Sequence, residues 1–468
     1  MSTHPPSDLS LEFLGAAGTV TGSKFLLKYK DSSIMVDCGL FQGLKSLRLM
    51  NWEGLAEIAK NTEAVVLTHA HLDHSGYLPR FISEGFKGPV FCTEPTRDLC
   101  QILLPDSGYI HEEEARYAGK KGFSKHNPPL PLYTEAQAQD ALKRFKIVNF
   151  RETFKVGPFE MELIPAGHIL GAASLYVRVN GRSLLFSGDI GRPNDPLMKP
   201  PELPRKAHTI VMESTYGDRL HSEQKPVDMM TEVLEYVVTG KGTLLIPSFA
   251  VGRAQSILHC LHQTFMLRPD LRLPIFVNSP MATNVTQLYL KHHQFHKLSP
   301  QDCESIFAHV TYVNSVEESQ ELNKNKGPKI IVSASGMLTG GRILHHIKAF
   351  GDNPRNAILL PGFQAEGTRG AALKNGAREL KIHGDYHPVL ARVFVCDNLS
   401  AHADQSELLD WLKQITNGVD HLFLVHGEAG AADTLRAKIS HYLGLNATIP
   451  RSGGPYPIGS ASEVLASP

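Results

Sequence analysis

The sequence predicts an α/β protein in which two strand-rich stretches flank a doubly wound parallel sheet. Two observations predict it. Short apolar bursts separated by turns fill the first two hundred residues and return after about 390. Between about 206 and 385 such bursts alternate with helical stretches, the pattern of parallel βαβ units.

Taken in order, Leu9, Leu11 and Phe13 alternate as a half-buried strand does. Lys24–Lys30 and Ser33–Asp37 read as a hairpin around Lys30-Asp31-Ser32. Ala64–Thr68 and Pro89–Thr93 are apolar but too short for helices, so they read as buried strands. Residues 96–118 and 134–146 carry helical spacing, and Thr134 with Gln137 matches a capping box. Strands follow at Phe159–Ile164, Ser174–Val179 and Ser183–Phe186.

The middle region offers strands at Thr209–Met212, Thr243–Pro247, Ile275–Asn278, Lys329–Ser333 and Ala357–Leu360. Helical stretches at 226–239, 252–266, 281–292 and 341–350 separate them. Ligands of such sheets bind beyond the carboxyl ends of the strands. The last region reads as strand Val393–Cys396, helix Gln405–Ile415, strand Leu422–Val425 and helix Asp433–Tyr442. The Gly/Ser/Pro-rich tail from Pro450 is expected to be loosely held.

Composition excludes several classes. The chain has 468 residues, 47 basic against 47 acidic groups and 42% apolar content, which excludes a disordered chain. Zero net charge removes the electrostatic signature of a dedicated DNA binder. The six cysteines show no CxxC spacing, so neither a zinc knuckle nor a redox motif is signalled. No signal-peptide pattern or membrane-length apolar run is present, and the expected location is cytoplasmic. The anomaly is the count of 23 histidines.

His69, His71, Asp73 and His74 lie within six residues, directly after a buried strand. Imidazole suits zinc, and carboxylate oxygens can bridge ions. One loop cannot close two sites, so further ligands are expected at other strand ends. His168 in Pro-Ala-Gly-His and Asp189 in Phe-Ser-Gly-Asp are the candidates. Asp37 is expected to orient the ligand loop.

This pattern of HxHxDH, then His, then Asp, resembles the metallo-β-lactamase superfamily. The resemblance implies an αββα sandwich with two zinc ions at one edge. It implies His69, His71 and His168 on one metal, Asp73 and His74 on the other, and Asp189 bridging. His71 stands where flavodiiron relatives carry Glu, which favours zinc.

More than two hundred residues separate Asp189 from the next candidates, His402 and His426. That arrangement resembles the β-CASP subfamily of nucleic-acid processing nucleases. Glu213 in Glu-Ser-Thr-Tyr-Gly, His402 in Ser-Ala-His and His426 in Val-His-Gly-Glu correspond to its motifs A, B and C. The implied organisation is a metallo-β-lactamase domain in two parts, residues 1–205 and 386–468, around a β-CASP insertion at 206–385. A His at motif C accompanies RNA substrates, so His426 points to RNA, and the length resembles the compact bacterial exonucleases.

The function so implied is hydrolysis of single-stranded RNA by a hydroxide generated at a two-zinc site. Asp73, His402 and Glu213 form the catalytic set, with His402 donating a proton or hydrogen bond and Glu213 holding its tautomer. His426 is the remaining metal ligand. The insertion is expected to form one wall of an RNA cleft. Ser333, Ser335, Gly336 and Arg342 on a Gly-rich turn, with Arg253 opening another helix, are the candidate phosphate contacts. Arg116–His126 is a basic patch with interleaved aromatics. His345 and His346 are expected at the surface or in a groove. A homodimer is a candidate assembly. The alternatives are a hydrolase of a small phosphodiester, thioester or lactam, and an inactive RNA-binding scaffold.

Overall fold

The computed structural model describes residues 8–122, 124–362 and 364–458. The N-terminal stretch through Ser7, Phe123 of the basic patch and the tail beyond Ile458 lie outside the described residues. The chain forms two compact units.

The first unit holds Met1–Asn194, Pro200–Leu220 and His402–Pro468. It contains two seven-stranded sheets. Across the first run Pro455–Pro457, Leu9–Phe13, Phe25–Tyr29, Ser32–Val36, Ala64–Val66, Val90–Cys92 and Phe145–Ile147. Across the second run Ala447–Thr448, His421–Val425, Thr209–Glu213, Arg182–Phe186, Ala173–Val179, Phe159–Pro165 and Thr153–Val156.

Alternation decides which faces meet. Leu11, Phe13, Phe25, Leu27, Ile34 and Val36 of the first sheet form one apolar cluster with Leu163, Leu175, Val177, Phe186, Val211 and Phe423 of the second. The opposite face of the second sheet, with Leu185, Ile210, Met212 and Leu424, packs on Leu408, Trp411, Leu435 and Ile439. Those side chains come from the helices Gln405–Lys413 and Ala429–Leu443. On the first sheet, Leu26, Met35 and Val65 point the other way and are also buried. The result is the αββα sandwich.

The second unit holds Asp195–Lys199 and His221–Ala401. Its six strands are all parallel, in the order Val310–Tyr312, Ile275–Asn278, Lys329–Ser333, Thr243–Pro247, Ala357–Pro361 and Arg392–Cys396. Leu245, Ile331, Ile358 and Leu360 pack under Ile343, Leu344, Ile347 and Phe350 of the helix Ile343–Phe350. A hairpin, Glu379–Ile382 with Asp385–Pro388, accompanies this sheet.

Two strands fall on the other side of the expected boundaries. Thr209–Glu213, expected to open the insertion at 206, pairs with Arg182–Phe186 and His421–Val425 in the sandwich. Arg392–Cys396, expected after 386 in the closing part, is the edge of the six-stranded sheet. The first is buried throughout and the second carries the same apolar character. A short apolar burst reads alike in either sheet, so periodicity does not reveal membership. Within the tail expected to be loosely held, Pro455–Pro457 is an edge strand antiparallel to Leu9–Phe13. The helix expected over 134–146 is Glu135–Ala141, capped by the Thr134–Gln137 box, followed by a short turn and the strand Phe145–Ile147. The helix expected at 96–118 extends over Glu94–Lys120. Among the described residues, no helix is long and apolar enough to cross a membrane.

Phe13 is fully buried, with ring centroids 5.8 Å from Phe25, 5.0 Å from Phe423 and 5.4 Å from Tyr456. Replacing it by Ala is expected to destabilise the sandwich by about 3–5 kcal/mol, read as a lower urea midpoint.

Candidate metal centre

The carboxyl ends of the sandwich strands deliver the polar side chains. Ala64–Val66 leads into Thr68–His74, Phe159–Pro165 into His168, Arg182–Phe186 into Asp189, and His421–Val425 into His426. Glu213 is the last residue of Thr209–Glu213. His402 pairs with Gly191 in an isolated bridge, just before the helix Gln405–Lys413. His69, His74, His168, Asp189, Glu213 and His426 are all buried.

These groups form two nests. In the first, His71 Nδ1 lies 3.2 Å from His69 Nε2 and 3.3 Å from His168 Nε2. Asp189 Oδ2 is 3.4 Å from His69 Nε2 and 3.5 Å from His168 Nε2. Ligands of tetrahedral zinc at about 2.0–2.1 Å stand about 3.3 Å apart, so the spacing fits such an ion. In the second nest, Asp73 Oδ2 is 3.2 Å from His426 Nε2, and His74 Nε2 is 3.2 Å from Asp189 Oδ1. Asp189 thus turns one oxygen to each nest. Its Oδ1 is buried and makes no well-formed hydrogen bond, while His74 Nε2 at 3.2 Å and His426 Nδ1 at 3.6 Å face it. Such an acceptor calls for a cation, and the donor set of imidazoles and carboxylates suits zinc.

A second layer fixes the rings. Asp37 accepts from the Thr68 amide at 2.7 Å and its hydroxyl at 2.8 Å, and faces His74 Nδ1 at 2.8 Å. Thr68 Oγ1 lies 3.1 Å from His69 Nδ1. Glu213 Oε2 lies 3.1 Å from His402 Nδ1, while its Oε1 accepts from the Ile190 amide. The ligand loop is clamped through its main chain. Ser23 donates its amide to the Asp73 carbonyl, and Cys38 donates to that of His74. Gly39 makes this approach possible, because a Cβ there would lie 1.7 Å from the Asp73 carbonyl oxygen.

Burial sets the charge states of the first nest. It lowers His69 to about 3, His71 to about 4 and His168 well below the usual imidazole value. All three are neutral near pH 7, the form that ligates metal. For Asp73, burial favours the neutral acid, but the His426 hydrogen bond and neighbouring imidazoles hold its carboxyl below the ordinary range. Asp189 is depressed in the same way, with His426, His74 and His69 outweighing burial. Burial also opposes charge on His402, yet Glu213 and then Asp189 raise it.

The structure therefore brings together His69, His71, Asp73, His74, His168, Asp189, Glu213, His402 and His426. The other five candidates belong to the second unit and are engaged within it. Ser333 is buried and donates to the Asn278 carbonyl at 2.9 Å, so it faces the sheet interior where a phosphate contact was expected. Arg342 donates to Asn278 Oδ1 at 2.8 Å and to the Asn314 carbonyl at 2.7 Å. Arg253 donates to the Pro361 carbonyl at 2.6 Å. The Ser335 hydroxyl accepts from the Thr339 and Gly340 amides, and the Gly336 carbonyl accepts from Gln364. His346, expected at a surface or groove, is wholly buried between Asn278 at 2.7 Å and Asn323 at 2.6 Å; His345 is exposed. Helical periodicity places His346 on the apolar face with Ile343 and Ile347, the signal that marks it as core. In the basic patch, Arg116 pairs with Glu113, and the His126 ring lies 4.7 Å from that of Trp52, tilted by 34°.

Sequence reasoning missed the hydroxyl anchors Thr68 and Thr215. Both sit inside motifs that were read for their ligands alone, one beside His69 and one two residues after Glu213.

An αββα sandwich with imidazole and carboxylate nests at its strand ends defines a metallohydrolase of the zinc-dependent type. The chain belongs to the metallo-β-lactamase superfamily, in its β-CASP branch. The model of the metallo-β-lactamase superfamily matches residues 18–230. That of the β-CASP domain matches 254–373, and that of the Zn-dependent metallo-hydrolase RNA specificity domain matches 386–450. The chain is 35% identical to Ribonuclease TTHA0252 of Thermus thermophilus, over 88% of this chain and 92% of that protein. It is 31% identical to Probable RNase MJ4 of Methanocaldococcus jannaschii, over 95% and 99%. It is 28% identical to Cleavage and polyadenylation specificity factor 73 of Drosophila melanogaster, over 92% of this chain and 61% of that longer protein. A solved structure, described as a protein of unknown function from Enterococcus faecalis V583, shares the fold at TM-score 0.52 and 14% identity, covering 96% of this chain and 99% of that one.

Gly39→Ala must push the Asp73 carbonyl away. Divalent-cation affinity, measured by chelator competition, is expected to fall about 10- to 100-fold while far-UV circular dichroism is retained.

Proposed function

We propose that the protein is a zinc-dependent ribonuclease that hydrolyses phosphodiester bonds of single-stranded RNA. The observation that carries the reading is Asp189, buried with one oxygen in each nest and His402 Nε2 4.0 Å from its Oδ2. The RNA specificity is supported by the matching family model and by the ribonuclease relatives.

His69, His71 and His168 would hold one Zn2+, and Asp73, His74 and His426 the other, with Asp189 shared. Bound zinc lowers the pKa of water toward neutrality and offsets charge on a phosphodiester. The chain's own groups do the rest. Asp37 and Thr68 fix the ring orientations of His74 and His69. Glu213 holds His402 by Nδ1, and Nε2 is the atom proposed to meet the substrate. From there His402 donates to a non-bridging phosphoryl oxygen or to the departing 3′-oxygen, leaving a 5′-phosphate on the product. Ser335, Gly336 and the Arg116–His126 patch are proposed to contact RNA away from the scissile bond.

End-labelled single-stranded RNA and DNA, incubated with and without a chelator, test this directly. RNA is expected to be cut and DNA spared, the chelator is expected to stop the reaction, and the product ladder reads endonucleolytic from exonucleolytic action. Asp73→Ala is expected to reduce turnover to background. Unchanged turnover would leave the chain an RNA-binding scaffold with a contaminating nuclease. His402→Ala is expected to lower kcat by about 10²- to 10⁴-fold with metal content retained.

A further inference from the structure

Lys24 is a charged side chain almost sealed from water. It stands one residue before the strand Phe25–Tyr29 and is 3% exposed. Phe25 pairs with Val36 across an antiparallel ladder, so the start of one strand lies beside the end of the next. Lys24 therefore reaches the rim where Asp37 and Gly39 follow. Alternation puts it on the face of Leu26, away from the core between the sheets that holds Phe25. Burial lowers it to about 8, which leaves it mostly protonated near pH 7. Burial pushes the nearby Cys38 thiol up, so that group supplies no anion. Among the described residues, no carboxylate forms an ion pair with Lys24. The ammonium lies instead 4.3 Å from the centre of the Phe41 ring and 5.0 Å from that of Tyr77, and it donates to the Gly39 carbonyl at 2.7 Å.

That carbonyl is one end of the Gly39–Leu40 peptide. The other end, the Leu40 amide, donates to the Leu72 carbonyl at 2.8 Å. A trans peptide is planar, with its C=O and N–H pointing opposite ways. Lys24 on one side and the loop on the other thus hold a single rigid unit. Gly39 needs such a holder, because a residue without a Cβ has the widest backbone freedom. The small size that lets it approach Asp73 also leaves its peptide free to rotate. The neighbouring bonds show what that rotation would disturb. Gly39 donates its amide to the Ser23 carbonyl at 2.9 Å, and Ser23 donates to that of Asp73 at 2.8 Å. Cys38 donates to the His74 carbonyl at 2.7 Å. A bond from a charged donor is roughly twice as strong as a neutral one, which suits an ammonium to this task.

We propose that Lys24 is a positioning residue whose buried ammonium locks the Gly39–Leu40 peptide against Leu72–His74, and so sets where Asp73 and His74 stand in the second nest. The lock stands on these contacts alone; its consequence for cations rests on the proposed zinc centre. The effect is local. His69 and His71 precede the locked stretch, and His168 comes from another loop, so the first nest keeps its geometry. Lys24→Met keeps the length and apolar stem of the side chain and removes its charge and its donor.

Residue-resolved amide hydrogen exchange on the metal-free full-length chain reads the lock. In Lys24→Met the Cys38 and Leu40 amides are expected to exchange about 10- to 100-fold faster than in wild type. The Leu175 and Leu424 amides of the second sheet are expected to keep their rates. Uniform acceleration reports lost stability alone and overturns the proposal, as do unchanged rates at Cys38 and Leu40. A measurement on wild type covers a variant that does not fold: the Lys24 ammonium is expected as a slowly exchanging NMR signal, and a fast-exchanging, solvated amine overturns the proposal. Zinc titration against a competing chelator reads the consequence. Wild type is expected to hold two zinc ions per chain, and Lys24→Met to hold one normally and the other about 10- to 100-fold more weakly. Equal weakening of both sites or unchanged binding overturns the link from lock to nest. A wild-type chain that binds no zinc while its Lys24→Met variant shows the selective exchange sinks the zinc reading and leaves the lock standing.

Discussion

Asp189 is only 2% exposed, and a carboxylate so placed is tolerable only if both of its oxygens meet donors or positive charge. That requirement explains the crowding around it. His69 and His168 face one oxygen, and His74 faces the other. His69 and His74 are steered in turn by Thr68 and Asp37. The sandwich supplies this because Phe159–Pro165, Arg182–Phe186, Thr209–Glu213 and His421–Val425 run in one direction and end at one rim, where short loops of different origin can converge. The core beneath consists of alternating side chains from two sheets, which fixes strand register and hence where each loop begins.

The loop was legible in the sequence because four side chains of metal-ligand type fall within six residues, a local density that solvent-exposed loops seldom show. His168 and Asp189 were legible only relative to that loop, as polar residues at the ends of apolar bursts. Their roles rest on contacts nearly a hundred residues or more apart, such as His168 with His71, which no local pattern records. The same limit hid Thr215. Nothing in Glu-Ser-Thr-Tyr-Gly says that the hydroxyl meets a histidine encoded two hundred residues later. Membership of Thr209–Glu213 and Arg392–Cys396 was misread for a related reason: a strand's composition reports burial, and its partner strands decide the sheet.

The second unit illustrates how polar residues can specify a fold. Asn278 meets Ser319, His346 and Arg342, and His346 continues to Asn323. Every member has a partner, so the network costs little and fixes one arrangement of the segments it joins. Burial lowers His346 to about 3, so the ring stays neutral and compatible with its apolar surroundings. Ser333 joins from the sheet through the Asn278 carbonyl. The polar turn after Lys329–Ser333 is thereby anchored from below, whatever meets it from above.

The order in which the groups of the centre leave the ribosome follows from where His426 lies in the chain. His69 through Asp189 are translated early, but His402 and His426 arrive only after the whole inserted unit has been made. The strand His421–Val425 must then slot beside Thr209–Glu213. At ordinary elongation rates of about 5–20 residues per second, a nascent chain spends many seconds with an incomplete centre. A centre assembled in this sequence stays incomplete until the inserted unit has been translated.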